Sequence, residues 1–268
     1  MWYVIRSIVA RQLVPRMTTP RILYQTWKTH DVPEKFKENH AKWLEMCPES
    51  EGWHHVLLDD ADLRNLVKQH FPNHLRSYDS FTHTIERVDF ARNVMMYIGG
   101  VYADLDTYPT KPIDAFMGMG KIVLGTEPIE HAREIYGREK VICNAFMISP
   151  PGQEMWVKLM DYIVDNYEAY YKPVENTGPM AMTYFFEKNP ELFVGVVIEP
   201  PCTFFPLTGK GKVTEGCDME RDTYVVHVWS NTWVPTPWND QLWFNRRYWF
   251  WALMAVFVVM WLLLWWRS

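Results

Sequence analysis

The stretch Glu86–Thr107, ERVDFARNVMMYIGGVYADLDT, limits what this 268-residue chain can fold into more than any other segment. Val88, Ala91, Met95 and Ile98 recur at helical spacing and predict a buried stripe on a helix over Ile85–Ile98. Asp89, Arg92 and Met96 fall on a neighbouring face, with Asp89 and Arg92 three apart and so able to meet. Gly99-Gly100 stops the helix, because glycine takes positive φ cheaply. Val101–Ala103 then reads as a short strand that ends at Asp104 and Asp106. In a flat strand, residues two apart point the same way, so both carboxylates are expected to aim at one point. A hard divalent cation takes such oxygen ligands and keeps positions open for phosphate.

The rest of the body alternates strands and helices. Arg21–Trp27 predicts a first strand whose end, Gln25-Thr26-Trp27, lies where open α/β sheets gather ligands. Pro33–Cys47 has helical spacing, with Phe36, His40, Trp43 and Leu44 on one side. Trp53–Leu58 follows as a strand and Asp60–His70 as a helix, while Phe71–Ser80, broken by Pro72, reads as a connector. Lys121–Gly125 and Val141–Ser149 are further strands, Glu154–Tyr171 and Met180–Lys188 helices, and Val194–Glu199 and Tyr224–Trp229 late strands. This alternation predicts one α/β layer domain over 20–245, with helices on both faces of a mixed, mostly parallel sheet.

The formal charge is -5 and no lysine-rich or arginine-rich run exists, which argues against nucleic acid as a partner. No two of Cys47, Cys143, Cys202 and Cys217 are spaced as a zinc knuckle. A Cys202–Cys217 disulfide fits a lumenal compartment, and four free thiols fit the spacing equally. The adjacent pair His54-His55 should point to opposite sheet faces, so it does not read as a metal site.

Tyr248–Trp266 is 19 residues without a charge, glycine or proline. As a helix it would run roughly 28 Å, close to the hydrocarbon thickness of a bilayer. Trp249, Trp251, Trp265 and Trp266 crowd its ends, as interfacial aromatics do. Residues 246–268 are thus expected to form a single-pass anchor, and an endomembrane such as the Golgi is the expected setting. Arg246 and Arg247 before the span and Arg267 after it lean toward a cytosolic head. Residues 1–19 read as a ragged extension whose apolar runs are too short to span.

The phrase RVDFARNVMMYIGGVYADLD resembles the core motif of the DxD sugar-binding glycosyltransferases, which include fungal initiating α-1,6-mannosyltransferases and the catalytic subunits of mannosyl inositol phosphorylceramide synthase. The likeness extends to PRILYQTWKT near the start, to Asn144 in CNAFMIS, to Thr177-Gly178-Pro179, and to HVWSNTW at His227–Trp233. The resemblance implies a GT-A fold, a Mn2+ or Mg2+ ion and a nucleotide-sugar donor, with GDP-mannose favoured by the fungal relatives. It implies that Asp104 and Asp106 hold the metal and the donor, that His227 reaches the metal or the diphosphate, and that Asp89 and Arg92 hydrogen-bond the donor sugar and its phosphate. Gln25, Thr26 and Trp27 would line the nucleotide pocket, Asn144 would face the donor sugar, and Thr177 and Gly178 would shape the acceptor side. The reaction implied retains anomeric configuration. With the anchor, an inositol phosphorylceramide-type lipid is the favoured acceptor. A protein-linked glycan, or a non-catalytic sugar-binding subunit, is the alternative, and a regulatory subunit is a further expected partner.

A haloacid dehalogenase-type phosphatase also places D-x-D after a strand. Its motif wants Thr or Val two places after the second acid, where this chain has Tyr108.

Overall fold

The computed structural model describes residues 18–169 and 171–230. The expected spanning segment 248–266, the N-terminal extension up to residue 17, and Asn231 to Trp233 of HVWSNTW lie outside the described residues. Among the described residues, no helix is long and apolar enough to cross a membrane.

A six-stranded sheet forms the centre. Its strands are β1 (Ile22–Thr26), β2 (His54–Leu58), β3 (Gly100–Ala103), β5 (Ile122–Thr126), β6 (Ile142–Ser149) and β7 (Val196–Glu199), in the order β2-β1-β3-β6-β5-β7. β1 pairs in parallel with β2 and β3, and β5 with β7, while β6 runs antiparallel to both β3 and β5. The sheet is therefore mixed and mostly parallel, as the alternation predicts. Two further strands, β4 (Thr107–Pro109) and β8 (Val225–His227), form a separate antiparallel pair.

The pleat sends alternate residues to two cores. Ile22, Tyr24, Tyr102, Leu124 and Met147 join one, covered by the helices Asp60–His70, Thr84–Ile98, Glu154–Asp165 and Pro179–Lys188. Leu23, Val101, Val123, Phe146 and Ile148 join the other, under Lys37–Met46 and Pro201–Phe204. Helices thus cover both faces. The helix Asp60–His70 starts on a capping box in which Asp59 and Asp62 each accept the other's backbone N–H.

Several local expectations change. Leu44 is 39% exposed, because the face of its helix that meets the sheet is centred on Trp43. The connector Phe71–Ser80 contains a short helix, Leu75–Ser80, whose Tyr78 is buried against Phe81 and Phe90. The helix expected over Glu154–Tyr171 ends at Asp165. The Thr84–Ile98 helix is buried on nearly all sides rather than along one stripe, since it lies between the sheet and its neighbouring helices. Gly99 and Gly100 adopt φ of 98° and 132°, and a Cβ on Gly100 would lie 2.7 Å from the Ile22 carbonyl oxygen. Gly100 is thus needed for close approach to β1 as well as for ending the helix. Cys202 and Cys217 form a disulfide, and Cys47 and Cys143 are buried free thiols.

Candidate metal centre

Asp104 and Asp106 are not in a strand. They sit in the turn between β3 and β4, closed by the Thr107 N–H donating to the Asp104 carbonyl at 3.0 Å. The strand-pleat argument for their common aim is therefore replaced by a turn that folds the chain back on itself. The turn is pinned from both sides. The Asp104 N–H donates to the Ala145 carbonyl at 2.9 Å, and the Trp43 indole donates to the Thr107 carbonyl at 3.0 Å.

The β4–β8 ladder then delivers His227. Thr107 and His227 are register partners, and the Val228 N–H donates to the Asp106 carbonyl at 2.9 Å. His227 Nε2 lies 3.2 Å from Asp106 Oδ1, and the Ser230 N–H donates to Asp106 Oδ2 at 2.8 Å. One ligand atom from each of Asp104, Asp106 and His227 lies within 4.8 Å of the others. A six-coordinate ion with bonds of about 2.1 Å spaces its ligands about 3 to 4 Å apart, so this trio is of the right size.

The electrostatics also suit a cation. Burial pushes Asp104 above the usual carboxylate range, with Arg92 and His227 opposing and Asp106 adding to the rise. Burial also acts to raise Asp106, but the His227 charge and hydrogen bond and the Ser230 N–H overcome it and hold Asp106 at about 2. Burial lowers His227, and the Asp106 carboxylate more than offsets that, so its imidazolium is favoured and a bound cation would have to displace that proton. Two nearly enclosed carboxylates and an imidazole offer the hard oxygen and nitrogen donors that Mn2+ or Mg2+ accepts.

Behind the trio lies a buried polar network. Arg92 places Nη1 at 2.9 Å from Asp89 Oδ1 and Nη2 at 2.8 Å from Asp104 Oδ1. Asp89 also accepts from Asn144 Nδ2 at 3.0 Å and from the Thr177 hydroxyl at 3.2 Å. A Cβ on Gly178 would lie 3.3 Å from Asp89 Oδ2. The structure thus gathers Asp89, Arg92, Asn144, Thr177 and Gly178 around one buried carboxylate. Thr177, expected on the acceptor side, is 3% exposed and engaged with Asp89.

The three residues at the end of β1 are split by the pleat. Thr26 shares a hydrogen bond of 3.1 Å with the Tyr102 hydroxyl, close to Asp104. Gln25 turns to the opposite face, where its Oε1 accepts from His40 Nδ1 at 2.6 Å. Trp27 is half-buried, edge-on to Phe36 with centroids 5.5 Å apart.

Sequence reasoning missed Tyr102 and Trp229. The Tyr102 hydroxyl donates to Asp104 Oδ1 at 2.5 Å. Strand alternation carries the signal, because Tyr102 is two residues before Asp104 and shares its side of the chain. Trp229 is, among the described residues, the one non-glycine position with positive φ, at 55°, and its ring lies 4.1 Å from that of His227. Nothing in its local sequence marks that conformation.

Residues 33–122 match the family described as "Glycosyltransferase sugar-binding region containing DXD motif". The match spans Asp89, Arg92, Asp104 and Asp106, and stops short of Asn144, Thr177 and His227. Inositol phosphoceramide mannosyltransferase 2 of Schizosaccharomyces pombe is 24% identical over 85% of this chain and 62% of its own length. Inositol phosphoceramide mannosyltransferase 3 of the same organism is 32% identical over 45% of this chain and 33% of its own. The chain therefore spans between a third and just under two thirds of these curated relatives. Among solved structures, mouse xyloside xylosyltransferase 1 superposes with a TM-score of 0.49 at 12% identity, over 81% of this chain and 99% of that one. The resemblance read from the sequence thus holds: residues 33–122 match the DXD-containing sugar-binding region of glycosyltransferases, and the chain is similar to fungal mannosyltransferases.

Proposed function

We propose that this protein is a membrane-anchored, metal-dependent, retaining glycosyltransferase that moves mannose from GDP-mannose to an inositol phosphorylceramide-type lipid. The observation that carries the reading is the convergence of Asp104, Asp106 and His227 at the carboxyl end of β3, with the two aspartates inside the segment that matches a sugar-binding family. The choice of mannose and of a lipid acceptor is supported by the names of the relatives and by the apolar tail.

Asp104, Asp106 and His227 would hold Mn2+ or Mg2+, which when bound would neutralise charge on the departing diphosphate. Arg92 holds Asp104 in place and adds a fixed positive charge beside the site. Asp89 orients Arg92, and Asn144 and Thr177 orient Asp89. Asp89 and Arg92 are 4% and 6% exposed, so they act behind the carboxylates that face the donor, rather than as its first contacts. The bond from the sugar to the diphosphate breaks, and the acceptor hydroxyl enters on the same face. Its proton passes to the departing phosphate oxygen. The same geometry suits a glycan acceptor, which the experiment separates.

The test uses the purified full-length protein with GDP-mannose, UDP-glucose and UDP-galactose, each with and without Mn2+. The expected result is Mn2+-dependent GDP release and a thermal shift with GDP but not UDP. Transfer to inositol phosphorylceramide and to a mannose-terminated glycan is then compared. Absence of turnover with every donor, with GDP still binding, would leave a non-catalytic sugar-binding subunit.

A further inference from the structure

β3 and β5 are parallel, with only β6 between them, so their carboxyl ends emerge on the same edge about 10 Å apart. Asp104 follows β3, and Glu127 follows β5. Beside Glu127, at the ends of β5 and β7, lies a cavity of about 350 Å3. Thr126, Glu127, Lys140, Ile198, Glu199 and Pro201 are among its walls, and none of Asp104, Asp106 and His227 lines it.

Contacts connect this cavity to the metal centre. His227, which meets Asp106, packs against Trp229 with the rings tilted at 39°, and the Trp229 ring lies 4.5 Å from that of His131. The Gly209 N–H donates to His131 Nε2 at 2.8 Å, which leaves the imidazole proton on Nδ1, 3.4 Å from Glu127 Oε2. Glu127 is 3% exposed, yet it reaches the cavity wall and keeps Oε1 as an acceptor.

The lining selects a ligand class. The carboxylates of Glu127, Glu139 and Glu199 stand against a single Lys140 ammonium, which disfavours a bare phosphate, and the apolar residues Ile129, Ile198, Pro200 and Pro201 between them suit a ligand with both hydroxyl and C–H surface. Glutamates accept hydrogen bonds from a ligand's hydroxyls, the Lys140 ammonium donates, the Thr126 hydroxyl, whose proton goes to the Glu199 carbonyl, can accept, and Ile198 and Pro201 offer apolar surface to the C–H face of a ring. We propose that this cavity is the acceptor site and that it takes a polyhydroxylated six-membered ring, with Glu127 and Glu199 as its hydroxyl acceptors. The proposal rests on the glycosyltransferase reading for the word acceptor, and on the cavity alone for the ring.

Saturation-transfer NMR on the full-length protein in detergent, with myo-inositol and methyl α-D-mannopyranoside as separate probes, tests the ring. Transfer to myo-inositol is the signature of a lipid headgroup, and transfer to the mannoside that of a glycan. Ile198→Trp fills the cavity, and Glu199→Gln removes a carboxylate charge at constant shape; each is expected to weaken the signal at least fivefold. No transfer to either probe at 20 mM, or transfer untouched by both variants, overturns the proposal. With active enzyme, Glu199→Gln should raise the acceptor KM about tenfold at constant donor KM. A rise in donor KM alone overturns the acceptor assignment. Ring binding without turnover of any donor by the native protein would instead defeat the catalytic reading and leave a sugar-ring site.

Discussion

Arg92 Nη2 and Asp104 Oδ1 are 2.8 Å apart, although they are twelve residues apart and a helix end, a glycine pair and a strand separate them. This ion pair ties the long helix to the carboxylate turn, so the metal centre is built on the rigid middle of the molecule rather than on a loose loop. The guanidinium also stacks 4.8 Å from the Tyr102 ring centroid, and the Tyr102 hydroxyl donates to the same Asp104 oxygen.

Arg92→Lys keeps the charge but offers one ammonium where a planar fork spans two carboxylates. Mn2+ affinity, measured by calorimetry on the full-length protein, should fall about 10- to 100-fold, as for other partners that orient metal ligands. An affinity within twofold of the native protein's would show that Arg92 does not position Asp104.

Stability should carry a pH signature from Asp89. Burial pushes Asp89 up to about 6 from 3.8, against the pull of Arg92, Asn144 and Thr177. The folded state therefore holds this proton more tightly than the unfolded chain. Its stabilising contribution is complete below about pH 4 and is lost as pH rises through about 6. Asp89→Asn has no such proton. The unfolding free energy of the native protein relative to Asp89→Asn should fall by up to about 3 kcal/mol between pH 4 and pH 7. Denaturant melts at pH 4, 5, 6 and 7 read it, and a constant difference would place the Asp89 pKa near its ordinary value.

Gly100→Ala should be costly. A Cβ there would meet the Ile22 carbonyl at 2.7 Å, and φ of 132° is strained for any L side chain. A loss of more than about 1 kcal/mol is expected, read as a lower thermal midpoint. An unchanged midpoint would mean that β1 and β3 can separate at no cost.

The parts legible in the sequence are those set by local periodicity. The Thr84–Ile98 helix, its glycine stop and the strands either side follow from spacing, and so does the mostly parallel sheet. The pairing of Asp89 with Arg92 follows from a three-residue helical step. What was not legible comes from tertiary pairing. His227 enters the reading only through the family resemblance, because it meets Asp106 where β8 pairs with β4, a contact spanning more than a hundred residues that no local pattern encodes. Thr177 reaches Asp89 for the same kind of reason. Asp104 and Asp106 do follow the end of β3, as the sequence implies, but their common aim comes from a turn rather than from the pleat, and the Thr107–Asp104 hydrogen bond that closes the turn leaves no mark in local periodicity.

The most direct test of the account is GDP release from GDP-mannose by purified Asp106→Ala beside the native protein, across a Mn2+ titration, with circular dichroism melts of both. The expected result is Mn2+-dependent release by the native protein and a loss of about 100-fold or more in the variant, with the cooperative melt preserved. Release by Asp106→Ala within twofold of the native rate, at the same Mn2+ requirement, would contradict the assignment of the metal centre.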